Sequence, residues 1–321
     1  PVCTGVSPGH QRQGPSGWSG GQPGQLRGIG AMGRASAVPV VAQPMVVSAA
    51  AADSSEPVMR NALFMVLSLP PERAYRSQQC AYTRAMSAAD TGVLVEARPQ
   101  AVRIDAHRTA VIVVDMQNDF GSEAGMFARA GIDISGIRAA IAPTARVLAT
   151  ARQAGLTIAY LKMGFRPDLS DAGAPDAPNW LKHLPFGVGD PTTAPDGTPS
   201  RTLIRDTWHT DIVPELAPHP DDVVVYKHRF SGFYDTDLHD ILRSRSIESL
   251  VFTGCTTSVC VEATLRDAMY RDYRCVLLED CTAEPVGSGF SRSNHDASLL
   301  LTEMLFGWVS TSSTLIEALE L

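Results

Sequence analysis

"LVFTGCTTSVCVEATLRDAMYRDYRCVLLED", residues 250–280, reads as one complete unit of an α/β protein. An apolar run ends at Gly254, a hydroxyl-rich turn follows, residues 260–272 show helical spacing, and "CVLLED" (275–280) is a second apolar run. Strand, helix and strand in that order predict two parallel strands joined by a crossover. The alternation extends upstream. "TAVIVVDM" (109–116) is continuously apolar and ends in a carboxylate, as a strand buried on both faces should, and "IRAAIAPTARVLATARQAG" (137–155) is a helical pattern closed by Gly155. "LTIAYLK" (156–162) and "DVVVYK" (222–227) are further strands, and "TDLHDILRSRS" (236–246) and residues 291–305 further helices. The fold class is therefore α/β, with a mainly parallel central sheet covered on both faces.

Composition restricts the partners. The chain has 321 residues, 44% hydrophobic and 19% charged, with net charge −7, enough for one large core. No block of Lys and Arg gathers in its later two thirds, so nucleic acid is not an expected partner; a small molecule is. No stretch has the length and apolarity of a membrane span. Six cysteines (3, 80, 255, 260, 275 and 281) are too sparse and irregular for a disulfide framework and fit reduced thiols in a cytoplasmic protein.

Residues 1–85 differ from the rest. They carry seven Arg, three acids and no Lys behind a Gly/Pro/Ser/Gln-rich opening, a composition that predicts a disordered extension. Residues 32–52 have a basic start, an apolar middle and small residues at the end, as a secretory signal would, although Pro39 and Pro44 interrupt the middle; an Arg-rich transit peptide is the other targeting reading. The expectation adopted is a natural start near Met86, a short polar lead, and a single domain over 86–321.

In parallel sheets ligands sit at the carboxyl ends of the strands. Three chemically capable residues fall there: Asp115, Lys227, and Cys260 in the loop after 250–254. A strand-terminal Asp also serves as a turn cap and a strand-end Lys as a solvated charge, and the residues alone leave both readings open. Lys227 is one of only three lysines (162, 182 and 227), which favours a position where a compact ammonium serves better than a planar guanidinium without excluding the solvated charge. Cys260 is placed at a helix start, where the dipole should lower a thiol pKa and make the thiolate accessible near neutral pH. Cys255, Cys275 and Cys281 read as buried packing residues, and no second pair or His cluster supports zinc.

"AVIVVDMQNDF", "VVYKHRFSGFYDTDLHDILRSRSIESLVFTGCTTSVCVEATLRDA" and "CVLLEDCTAE" resemble the isochorismatase-like cysteine hydrolases, over about residues 100–320. The resemblance implies a three-layer α/β/α sandwich of Rossmann-like topology and a catalytic triad of Asp115, Lys227 and Cys260. It also implies a cis peptide between Cys255 and Thr256, an oxyanion hole from the Thr256 and Cys260 N–H groups, and a homodimer or homotetramer. Hydroxyls of Thr256, Thr257 and Ser258 would brace that loop and cap the helix. Gln117, Phe120, Phe165, Phe230 and Phe233, near the strand ends, are expected to bind substrate.

Within the superfamily "KHRFSGFYDTDL", "LRSRSIESLVFTG" and "FGWVS" (306–310) resemble the ureidoacrylate hydrolase branch. The implied reaction is C–N cleavage in a small ureido, carbamoyl or amide acid through a thioester, with no cofactor. The region after the second strand, "LKMGFRPDLSDAGAPDAPNWLKHLPFG", has His183 as its one histidine, unlike the Asp and His metal cluster of nicotinamidases, so no metal is expected. Biuret, carbamoyl amino acids and maleamate are alternative substrates. A vinyl-ether hydrolase of the isochorismate type and a non-catalytic binding protein are the competing functions. The Pro- and Gly-rich stretch 163–206 is expected to form a lid or a subunit contact.

Overall fold

The computed structural model describes residues 92–289, 291 and 293–320. The basic leader, the start at Met86, Cys3 and Cys80 lie outside the described residues. The strands are β1 (Val93–Val95), β2 (Val102–Ile104), β3 (Thr109–Val114), β4 (Thr157–Met163), β5 (Pro191–Thr193), β6 (Pro199–Arg201), β7 (Val223–Lys227), β8 (Ser249–Cys255), β9 (Arg274–Ala283) and β10 (Trp308–Ser310). Six of them form the central sheet in the order β10-β9-β8-β3-β4-β7, with every neighbouring pair parallel.

The continuous apolar run of β3 follows from its place inside this sheet. Val111 and Val113 enter one core with Val251, Val276 and the helix Ser135–Gln153. Ala110, Ile112 and Val114 enter the other with Leu250, Phe252 and the helices Leu238–Ser244 and Glu262–Met269. Helix Ser135–Gln153 buries Ile137, Ile141, Thr144, Leu148 and Ala151, a single stripe at helical spacing. The last helix, Ser312–Glu320, packs on the same face through Leu315 and Ala318. The result is the three-layer α/β/α sandwich, and it places Asp115, Lys227 and the turn after Cys255 at one sheet edge.

Three features differ from the sequence reading. The lead before β3 is not merely polar: β1 and β2 pair antiparallel, and Val95 and Ile104 are fully buried. The Arg98 backbone exchanges hydrogen bonds of 2.8 and 2.9 Å with Val309 in β10, and its guanidinium meets Glu279 at 2.7 Å and Glu303 at 3.2 Å. Strand β10 has only three residues, too few to carry a periodicity of its own. The stretch 163–206 contains the helix Pro178–His183 and the β5–β6 hairpin. Its two ends are tied together, Phe165 N–H donating to Leu203 O (2.8 Å) and Arg205 N–H to Phe165 O (3.0 Å).

These contacts separate two truncations. A chain beginning at Met86 should fold with the activity of the full chain. One beginning at Ala106 also loses buried Val95, Val102 and Ile104, each contributing about 1.5–3 kcal/mol, and should melt at a clearly lower temperature. Thermal unfolding and turnover check both; loss of either in the Met86 chain would place residues 1–85 in the folded unit.

Candidate active site

Asp115 follows the last residue of β3 and is 1% exposed. Its φ is 52°, in the left-handed region where Asp is one of the few tolerated side chains. This turn lets its N–H donate to Leu161 O (2.9 Å), while Oδ1 accepts from Met163 N–H (3.0 Å) and Oδ2 faces Lys227 Nζ at 2.8 Å. Lys227, at the end of β7, is fully buried, and Nζ also donates to Arg229 O at 3.2 Å. Burial works to lower its pKa, but the Asp115 carboxylate and then the Cys260 sulfur outweigh burial and hold the ammonium above its ordinary value. The lysine is therefore charged throughout the neutral range.

Strand β8 delivers the third group. Gly254 has φ +112°, and a Cβ there would lie 2.0 Å from Val114 O, so only glycine lets β8 approach the end of its parallel neighbour β3 so closely. The Cys255–Thr256 peptide is cis. Residues Thr257–Val261 then form one π-type turn leading into the helix Glu262–Met269, with Cys260 inside the turn and 7% exposed.

This placement corrects the expected acidity of Cys260. Its thiol pKa is raised, first by burial; Lys227 pulls it down and Asp115 pushes it up. A thiolate in an apolar pocket loses its hydration, and that loss exceeds what the lysine returns. The resting group is the thiol. The other described cysteines are buried too: Cys255 donates to Asp115 O (3.3 Å), and burial pushes the Cys281 thiol up to about 12.

The loop hydroxyls act differently from the helix caps expected. Neither the π-type turn nor the following helix has a side-chain cap. Ser258 donates through its N–H (2.7 Å) and its hydroxyl (2.5 Å) to Glu284, and Thr257 Oγ1 meets His295 Nδ1 at 2.9 Å. Glu284 and His295 lie beyond β9, so nothing in the local pattern of the loop points to them.

Asp115, Thr256 and Cys260 line a cavity of about 290 Å3 whose walls include Phe120, Phe127, Met163, Phe186, Phe230 and Val259. Of the five expected substrate-binding residues, Phe120 and Phe230 line it and three do not. The Gln117 amide is fully buried and consumed: Nε2 donates to Met163 O (2.8 Å) and Thr210 O (3.2 Å), and Oε1 accepts from Met163 N–H (2.7 Å). It clamps the end of β4 beside Asp115. Phe165 is fully buried behind the wall, edge-on to His183. Phe233 belongs to the other core, stacked on Tyr273. The sequence reading missed Lys182, His183 and Phe186, which line the cavity from the 163–206 stretch, as a lid would.

A larger cleft, about 630 Å3, lies along β7 among Arg166, Asp171, Arg205, Arg229 and Tyr234. It holds neither the thiol nor the ion pair, so the candidate site is the smaller cavity. Among the described residues, no group of three His, Cys, Asp or Glu is placed to hold a metal ion, and no helix is long and apolar enough to cross a membrane.

Residues 109–314 match the family model described as Isochorismatase domain. The chain is 40% identical over 228 residues to the ureidoacrylate amidohydrolase RutB of Methylobacterium radiotolerans, spanning 71% of this chain and 86% of the relative. It is 41% identical over 218 residues to the ureidoacrylate amidohydrolase RutB of Variovorax paradoxus, spanning 68% and 84%. Among solved structures, a cysteine hydrolase from Pseudomonas syringae pv. phaseolicola 1448A is similar with TM-score 0.57 and 30% identity, covering 72% of this chain and 98% of that one.

The raised thiol pKa fixes how the resting protein should meet an alkylating agent. A group held above its ordinary value stays protonated at neutral pH, so labelling of Cys260 by iodoacetamide should be slow at pH 7 and climb with pH, without levelling off below the ordinary thiol value of 9.0. Mass mapping across pH 6–10 reads this; a plateau near pH 7 would restore a resting thiolate.

Proposed function

The chain belongs to the isochorismatase domain family, and we propose that it is a cysteine amidohydrolase that cleaves a small ureido or amide acid, with ureidoacrylate the favoured substrate. It is a hydrolase acting on carbon–nitrogen bonds other than peptide bonds. The observation that carries the mechanism is the buried Asp115–Lys227 ion pair, 2.8 Å long, set against the Cys260 thiol at an otherwise apolar cavity. A competing vinyl-ether hydrolysis needs no thiol there.

Asp115 accepts the Cys260 proton as Sγ attacks the substrate carbonyl, and Lys227 keeps the carboxylate in register and offsets the developing negative charge. The oxyanion lies against the N–H groups of Thr256 and Cys260. The C–N bond breaks, Asp115 returns the proton to the departing nitrogen, and an acyl-enzyme remains on Cys260. Water then gives its proton to Asp115, attacks the acyl carbon and releases the thiol. Because the thiol pKa is raised, proton transfer and attack are coupled; no free thiolate has to accumulate. These steps use no redox cofactor and no metal. The same reading takes the enzyme as cytoplasmic and homo-oligomeric, with no nucleic-acid or membrane partner.

Three substitutions test the roles. Cys260→Ser should keep the fold and abolish turnover, and Asp115→Asn should be nearly as damaging. Lys227→Arg should lower kcat by orders of magnitude, because a planar guanidinium cannot occupy the buried ammonium site without displacing Asp115. Cys255→Ala should cost little catalysis; if it, and not Cys260→Ser, kills the enzyme, the assignment fails. An ammonia-release screen over ureidoacrylate, biuret, carbamoyl amino acids, maleamate and nicotinamide identifies the substrate. Metal-dependent nicotinamide hydrolysis would overturn the branch. Light scattering should give a dimer or tetramer mass for the full chain, and a monomer would contradict it.

A further inference from the structure

The cavity's apolar walls leave little to recognise a polar acid. Besides the reacting groups, Thr256 and the Cys255 thiol already spent on Asp115 O, the lining among the described residues offers two side chains with nitrogen or oxygen atoms, Lys182 and His183, neighbours at the end of the helix Pro178–His183. They are different chemically, and both are left with an unused function.

His183 is 8% exposed, and its Nδ1 meets Asn179 O at 2.5 Å. A carbonyl oxygen can only accept, so Nδ1 carries the proton. Burial lowers the pKa of the ring; the Asn179 contact opposes this, and Lys227 and Arg229 lower it further, so the imidazole is neutral. A neutral ring protonated at Nδ1 presents Nε2 as a bare acceptor. The ring is held edge-on by Phe165, centroids 5.5 Å apart, and flanked by Phe230 at 5.7 Å. With Nδ1 turned back into its own helix, Nε2 is left with no hydrogen bond among the described residues, on a ring that lines the cavity.

Lys182 is exposed at the rim of the same cavity and makes no ion pair among the described residues. Each of the other two lysines is paired, Lys162 with Asp211 and Lys227 with Asp115. Lys182 is thus the one lysine with an unspent charge, and it stands exposed in the lining of the cavity that also holds Cys260.

We propose that Lys182 and His183 form the recognition element for the substrate: Lys182 takes its carboxylate at the cavity rim, and His183 Nε2 accepts an N–H of the ureido or amide group. The pair would restrict the enzyme to acids that carry a carboxylate beyond the scissile group and a donor next to it. This rests on the cysteine amidohydrolase reading, and it turns Lys182 into a specificity-determining residue with no part in the bond-breaking step.

The test measures binding rather than turnover. In the full chain, 3-ureidopropionate and its methyl ester are compared for protection of Cys260 against iodoacetamide. The acid should protect at about fivefold lower concentration than the ester, the scale of a partly solvated ion pair. Lys182→Ala should abolish that preference without altering protection by the ester, and Lys182→Arg should keep it. His183→Phe retains the ring between Phe165 and Phe230 but removes the acceptor, and should weaken acid and ester equally, by about tenfold. Equal protection by acid and ester in the unaltered protein, an unchanged preference in Lys182→Ala, no protection by either compound, or an unaffected His183→Phe would each overturn the inference. The underlying reading fails separately, through Cys260→Ser retaining turnover or the unaltered protein hydrolysing no member of the substrate screen.

Discussion

Two opposite charges at 2.8 Å, Asp115 and Lys227, are buried in the middle of this fold, and most of the surrounding structure serves to keep them there. Removing one partner from such a pair leaves an uncompensated charge in a low dielectric, at a cost of roughly 3–5 kcal/mol. The pair is supported by groups from separate elements: Met163 N–H at the end of β4 and Arg229 O after β7. Gln117 holds the same Met163 backbone from the far side. Three parallel strands must therefore stop in register for the pair to be satisfied. The left-handed turn at Asp115 is the local cost of aiming its carboxylate at that point.

The same burial explains the thiol. Reactive cysteines are often pictured as stabilised thiolates, but here the raised pKa of Cys260 leaves the proton on sulfur. What the site provides is an adjacent carboxylate, kept next to a permanent ammonium. In the proposed reaction this keeps the nucleophile quiet until a carbonyl is in place, and it couples activation to substrate binding. The loop around it is stiffened from outside, Glu284 holding Ser258 and His295 meeting Thr257.

The stretch between β4 and β7 supplies much of the cavity's character. Buried Asp119 accepts from Met126 N–H and Leu203 N–H and pairs with His209, which fixes the returning chain to the body of the domain. On that anchored base the helix Pro178–His183 brings Lys182 and His183 to the cavity. A long irregular connection is thus tethered to the domain, and Lys182, His183 and Phe186 from it line the same cavity as Asp115 and Cys260.

The sequence by itself determined five of the six strands of the central sheet and the edge at which their carboxyl ends gather. Apolar runs such as 109–114 are continuous because both faces of the strand are buried, and that pattern is local enough to read without coordinates. The positions of Asp115, Lys227 and Cys260 at strand ends or just beyond them were legible for the same reason. Tertiary structure alone decided the rest. Whether Cys260 rests as thiol or thiolate depends on burial and on charges more than thirty residues away in the chain, which helix position cannot reveal. Gln117, Phe165 and Phe233 read as site residues from their neighbours in sequence, yet each packs where a different strand or loop needed it. Lys182 and His183 carry no signal in their own short helix; they matter because the chain folds back over a cavity made by other segments.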